Sequence, residues 1–249
     1  MTTDELVAAF RLPATAKVER RIPKTILSER GANSAADRKL IDRCVDRLDW
    51  VAALSPSTVG IVASDDPDRP APEVQILALM AKTDPVQRLF ELVHRAIPYP
   101  LVLIVQTSAG RPRLSLAPLR LAERISDQLV IERLILSPPL EPGDRPFLDS
   151  LSLEILPRTD LGRLYFGLIE RAEALAASRL SGSDFRLPRD SAEAEVRRKA
   201  LASYASKEAE WISAKAAARN EKRLAEQVRL AEQARLLGVE LAAIAARMA

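Results

Sequence analysis

The chain has 249 residues, 47% hydrophobic and 29% charged, a composition that supports a packed core and excludes a disordered segment. No apolar run approaches the roughly 20 residues that span a bilayer. The N-terminus "MTTDELVAAF" carries acids where a signal peptide carries bases. The formal charge is only +3, although in 11–47 ten bases face five acids.

In chain order, Asp4 to Arg11 reads as a short helix stopped by Pro13. After "KVERRIPKTILSERG", Ser34 reads as an N-cap, and Leu40, Ile41, Cys44, Val45 and Leu48 trace a helical stripe. Cys44, the single cysteine, excludes an internal disulfide and suits a reducing cytoplasm. It reads as a small buried hydrophobe rather than a reactive thiol. "WVAAL" and "TVGIVA" predict two short strands, followed by the acidic loop "SDDPDRPAP".

"EVQILALMAK" predicts a strand and "TDPVQRLFELVHRAIPYP" a helix, with Asp84 as N-cap and Pro85 at the first position. Pro98 and Pro100 end that helix, and "LVLIV" predicts a strand apolar on both faces. Strand, crossover helix and strand make a right-handed parallel unit. His94, the only histidine, falls one turn before the helix end, where free carbonyls favour an imidazole. This structural role outweighs a catalytic one. "RPRLSLAPLRL" and "DQLVIERLIL" predict an antiparallel pair of strands, and "SPPLEPGDRPF" a loop. From Asp160 the pattern is helical until Gly182.

From Asp190 to Ala249 there is no proline and one glycine, Gly238, in a composition typical of long helices. Leu230, Ala234, Leu237, Leu241, Ile244 and Met248 follow the 4-3-4-3-4 spacing of a coiled-coil seam. Tyr204, Trp211 and Ile212 add an apolar patch upstream. Eleven bases and nine acids nearly balance here, which suits protein contact better than a phosphate backbone. A helix this long must pack on itself, on a second copy or on another protein.

Chemical motifs are missing. One histidine and one cysteine cannot build a zinc site, and the glycines form neither a Walker loop nor G-x-G-x-x-G. The strand acids Glu73, Glu132 and Glu154 are followed two residues later by Gln75, Leu134 and Leu156, so the Glu-x-Lys pattern of metal-dependent nucleases fails. Asp65, Asp66 and Asp68 read as an exposed acidic loop before a cation site. The N-terminal bases read first as a solvated face, second as a polyanion surface.

Three stretches, "ERRIPKTILSERG", "SAADRKLIDRCVDRLDWVAALSPSTVGI" and "LFELVHRAIPYPLVLIV", resemble a bacterial family catalogued as domain of unknown function 4391, over roughly Leu6 to Leu180. The resemblance implies an accessory role beside helicases and methyltransferases of restriction-like or anti-phage systems. It transfers no catalytic role, so Ile22, Pro23, Lys24, Trp50, His94, Pro98, Tyr99 and Pro100 enter as motif positions.

The expected fold is α+β: a mixed sheet of about five strands with packed helices in 1–182, then a linker and a long C-terminal helix or coiled coil in 183–249. The expected function is a non-catalytic accessory subunit in the cytoplasm, without cofactor or metal. It would dock a protein such as a helicase or methyltransferase, or a second copy, through Tyr204, Trp211, Ile212, Leu230, Leu237, Leu241, Ile244 and Met248. The alternative is a nucleic-acid-binding or divergent nuclease-like module using Arg20, Arg21, Lys24, Arg38 and Lys39. No membrane contact is expected.

Overall fold

The computed structural model describes residues 1–122 and 129–248. Contacts divide the chain into two compact units, Met1–Ala172 and Glu173–Ala249.

The first unit opens with α1 (Thr3–Ala9), where the Thr2 hydroxyl accepts from the Glu5 amide and the Glu5 carboxylate from the Thr2 amide. This reciprocal cap satisfies two orphan donors. Strand β1 (Lys17–Arg21) follows, then a π-helical turn, Leu27–Gly31. Helix α2 (Ala35–Cys44) starts on Ser34, whose hydroxyl accepts from the Asp37 amide, as the N-cap reading expects. It ends at Cys44, and β2 (Val45–Leu54) begins at the next residue. Val45 and Leu48 therefore belong to a strand, contrary to the helical stripe. The register of β2 shifts between Val45 and Arg47. A bulge there turns two residues three apart toward the same core, which imitates helical spacing.

"WVAAL" is the second half of β2, and the strand expected at "TVGIVA" is absent among the described residues. Its start is instead a short helix, α3 (Pro56–Val59), held by the Ser55–Thr58 capping box and closed by Gly60 at φ 65°. Strand β3 (Val74–Ala81), helix α4 (Gln87–Ala96) and strand β4 (Leu101–Thr107) form the expected crossover, with β3 and β4 parallel. Val86, not Asp84, is the N-cap of α4, and no side chain caps it.

The expected strand over 111–121 divides into β5 (Arg113–Leu116) and β6 (Leu119–Leu121). Pro118 lacks the N–H a continuous ladder needs. Its partner divides likewise into β7 (Leu129–Ile131) and β8 (Ile135–Leu136). Asp127 and Gln128 of that expected strand lie outside the described residues. The sheet runs β1-β2-β3-β4-β5-β8, and β6 and β7 make a separate antiparallel ribbon. Helix α5 (Arg145–Ser150) takes over the end of the expected proline loop, with Pro146 in the tolerated first turn.

Strands β3 and β4 are the most buried, with Leu101, Val102, Leu103 and Ile104 fully covered. Leu89, Phe90, Leu92 and Val93 of α4 pack on them in one core cluster with Leu27, Ile41, Cys44, Val45 and Leu48. Each fully buried side chain of this size contributes about 1.5–3 kcal/mol of transfer free energy.

Helix α6 (Leu161–Ser181) begins in the first unit and ends in the second, where Gly182 at φ 71° stops it. The expected single terminal helix is two: α7 (Ser191–Asn220) and α8 (Leu224–Ala246). Asp190 caps α7 by accepting from the Glu193 amide. At the break Glu221 is extended, and its carboxylate accepts from the Lys222 and Arg223 amides at 2.9 and 2.8 Å. That local bond offers the backbone an alternative to the helix ladder.

The seam read from the sequence closes within the chain. Ala234 and Leu237 pack with Trp211 and Ala214. Ile244, Ala245 and Met248 pack with Ala200, Leu201 and Tyr204 of α7 and with Ala177 and Leu180 of α6. Lys207 of α7 pairs with Glu240 of α8 at 3.1 Å. Among the described residues no helix is long and apolar enough to cross a membrane.

Candidate functional site

The motif positions of the first unit are tied into the sheet. Ile22 packs against the core, and its amide donates to the Leu48 carbonyl at 2.8 Å. Exposed Pro23 starts the π-helical turn by accepting from the Ile26 amide. Lys24 donates from Nζ to the Val45 carbonyl at 2.7 Å, at the α2–β2 junction. Its charge is thereby committed to the chain's own backbone.

Trp50 on β2 donates from Nε1 to Gln75 Oε1 at 2.7 Å and to the Ala52 carbonyl at 3.2 Å. Gln75 is buried, and its Nε2 donates to Glu73 at 2.8 Å. The Gln75 amide donates to the Pro100 carbonyl. Pro98 is exposed, Tyr99 half-buried and Pro100 buried, while Ile97 already has the extended backbone that the residue before a proline favours. This stretch is the corner where a helix becomes a strand.

His94 is 2% exposed, and its Nε2 lies 2.8 Å from the Ser115 hydroxyl of β5. Burial drives its pKa down to about 3, so the ring is neutral at physiological pH. The sequence reading assigned it free carbonyls at a helix end. The structure gives it a serine hydroxyl beneath the helix, because its α4 position faces the sheet. Ser115 is itself fully buried, so the pair has no open side for a substrate.

A second network escaped the sequence reading. Arg88 of α4 grips Asp37 of α2 with two parallel bonds of 3.0 Å and reaches Glu91 at 3.1 Å. The Arg88 guanidinium, with the Asn33 amide, holds the Asp37 carboxyl down at about 2. Asp37 sits three residues after the Ser34 cap, the one local sign that an acid belonged there. The fork ties the start of α2 to α4.

The acids considered for metal chemistry are engaged separately. Glu73 accepts from Gln75, Glu132 pairs with Arg69 at 2.7 Å, and Glu154 pairs with Arg11 at 3.1 Å. In the acidic loop Asp66 accepts from the Asp68 and Arg69 amides, an Asx turn. Among the described residues no group of three His, Cys, Asp or Glu could hold a metal ion. A cavity of about 440 Å³ between α1 and α5 is lined by Glu5, Ala8, Arg11, Arg145 and Asp149 among others. It mixes both signs of charge.

Among the described residues, the bases and apolar side chains expected to meet partners fall on two surfaces. The side chains of Arg20 and Arg21 on the outer strand β1, and of Arg38 and Lys39 on α2, are exposed. Among the described residues none of these four side chains forms a hydrogen bond or ion pair. Lys24, the fifth base expected for nucleic acid, is occupied as described.

The other surface is the α7–α8 hairpin. Leu237, Leu241 and Met248 are buried within it, and Tyr204, Leu230 and Ile244 partly so. Ile212 alone among the residues expected to meet a partner is exposed, at 57%. The hairpin also exposes side chains the seam pattern did not single out: Val196 on α7 and Leu224, Val228, Leu236 and Val239 on α8, each more than half exposed. Trp211 carries the Lys215 ammonium 4.1 Å from its ring centre, beside a cavity of about 380 Å³ floored by Ala218, Ala231 and Ala234. A family model described as a domain of unknown function (DUF4391) matches residues 10–238.

The chain belongs to that family.

The match takes in the sheet, α6, α7 and most of α8, so the hairpin is part of the DUF4391 domain rather than an appendage. No curated protein and no solved structure matches the chain.

Proposed function

We propose that this DUF4391 protein is a non-catalytic interaction subunit that docks a partner protein through its α7–α8 hairpin. One observation carries the reading: the hairpin consumes its seam internally and still leaves five large aliphatic side chains and Ile212 more than half exposed. Exposed apolar surface marks interaction sites where it is more than singly scattered residues, and the α7–α8 hairpin carries six such side chains. The first unit supports the non-catalytic part, because its histidine and serine are sealed together and its acids are engaged one by one. The sequence resemblance suggests the partner class, a helicase or methyltransferase of a restriction-like or anti-phage system.

A photocrosslinking residue placed at Val196 or Ile212 of the full chain, in the source cell, tests this. Adducts with one helicase or methyltransferase at both positions, and none from exposed sites on β1, are expected. Adducts at neither hairpin position would defeat the proposal. A second reading, nucleic-acid binding, draws on the four free cations of β1 and α2. It calls for a gel shift at low salt that Arg20→Glu with Arg21→Glu abolishes.

A further inference from the structure

The charge of the second unit is unevenly placed. From Lys215 to Arg223 four bases face one acid, Glu221, an excess of three that equals the formal charge of the whole chain. In the rest of 190–249 acids exceed bases by one. The basic stretch is the turn end of the hairpin, where α7 stops at Asn220 and α8 begins at Leu224.

The acids around it are already engaged. Glu221 accepts from the Lys222 and Arg223 amides, Glu226 pairs with Arg229, and Glu232 with Arg235. Among the described residues Lys215, Arg219, Lys222 and Arg223 form no ion pair, and all four are exposed. Two of these placements work against the helices. Lys215 and Arg219 stand four apart on α7, where like charges repel. Lys222 and Arg223 precede the first turn of α8, where the helix dipole favours acids over cations.

At the same end lies the cavity of about 380 Å³, floored by Ala218, Ala231 and Ala234 and walled by Trp211, Lys215 and Arg235. Alanines from both helices leave a hollow there that larger side chains would close. Uncompensated cations therefore border a recess with an apolar floor.

We propose that the turn end of the hairpin binds an acidic segment of a partner protein. One bulky apolar side chain of that segment enters the alanine-floored cavity, and flanking carboxylates meet Lys215, Arg219, Lys222 and Arg223. The inference rests on the hairpin being a docking element and names the chemistry of what it docks. A nucleic acid would answer the cations but not the hollow. The Lys215 ammonium lies over the Trp211 ring, which also packs with Ala214, Ala234 and Leu237, so the ring is no bare platform for a base.

Fluorescence anisotropy of labelled heptapeptides against the full chain tests this. One probe has glutamates around a central phenylalanine, a second has alanine at the centre, and a third has lysines around phenylalanine. The phenylalanine–glutamate peptide is expected to bind about tenfold more tightly than the alanine peptide and to weaken as salt is raised. The lysine peptide should not bind. Lys215→Glu with Arg219→Glu should weaken both glutamate peptides about tenfold or more. Ala231→Leu fills the hollow from an exposed position of α8, and should erase the preference for phenylalanine while leaving the alanine peptide unchanged. Ala218→Leu should do the same from α7. Far-UV circular dichroism checks that each variant keeps its helices.

No binding of the phenylalanine–glutamate peptide, equal binding of the two glutamate peptides, or a preference that survives both leucine variants overturns the proposal. So does tighter binding of a thymidine oligonucleotide or of phosphatidylserine vesicles that the same charge reversals abolish. Adducts at Val196 and Ile212 without peptide binding would leave the docking reading standing and strike only the acidic partner.

Discussion

Strand β4 and helix α8 carry similar apolar loads and dispose of them differently. In β4, Leu101, Val102, Leu103 and Ile104 alternate sides, and both sides are covered, by helix α4 on one and the rest of the first unit on the other. In α8 the load is spread round a cylinder, and one companion helix covers one sector. The sheet's central strands leave nothing large exposed; the hairpin leaves four residues of α8 in water. Polar groups follow the same division. Buried Gln75, His94, Ser115 and Tyr165 each have a hydrogen-bond partner within the first unit, whereas the hairpin's ion pairs, such as Arg229–Glu226, lie at its surface. The first unit closes over its apolar and polar groups, and the hairpin leaves part of its apolar load exposed.

The sharpest way to break that contrast is acid. His94 has a pKa of about 3 in the folded protein against 6.5 for a free imidazole, so the unfolded chain binds more protons throughout that interval. Stability is therefore full above pH 6.5 and falls as the pH drops toward 3, by up to about 5 kcal/mol. Hydrogen exchange resolved by segment should show β4, β5 and α4 losing protection over this range, and His94→Gln should flatten the loss. A wild type whose protection is level from pH 6.5 to 4 would contradict the sealed histidine. Asp37 adds a second, lower window, since its folded value near 2 lies below 3.8. Its contribution is present above pH 3.8 and fades below it.

Cavity formation comes next in size. Ile104→Ala on β4 should cost about 2–5 kcal/mol by denaturant titration, because no solvent can refill the site. Leu237→Ala in the hairpin seam, 8% exposed, should cost less than about 2 kcal/mol, since a two-helix contact relaxes more easily than a core. Equal costs at the two positions would mean that the hairpin is packed as firmly as the sheet. The smallest effect on fold stability is expected at Leu236→Ser. It should stay within about 0.5 kcal/mol.

The crossover β3–α4–β4 was legible in the sequence because its signals agree: an apolar run, an amphipathic helix, two prolines and a second apolar run. The α2–β2 boundary was not, since the bulge at Val45–Arg47 gives a strand the spacing of a helix. The break between α7 and α8 carries no proline or glycine. It depends on the Glu221 carboxylate turning back on the next two amides, a choice that composition does not reveal. The seam from Leu230 to Met248 was legible as a pattern, but the helix answering it lay in the same chain, and the outer set of α8 was missed. Lys24 and His94 stood out as chemistry-bearing residues; their partners, a carbonyl on β2 and a hydroxyl on β5, come from the tertiary fold alone.

Cys44 closes α2 at its junction with β2, 2% exposed, and it is the chain's single thiol. Labelling by a bulky thiol reagent therefore has to wait for that corner to come apart. Its rate on the native protein reads the opening frequency of one defined place in the fold, without a mutation or an attached probe.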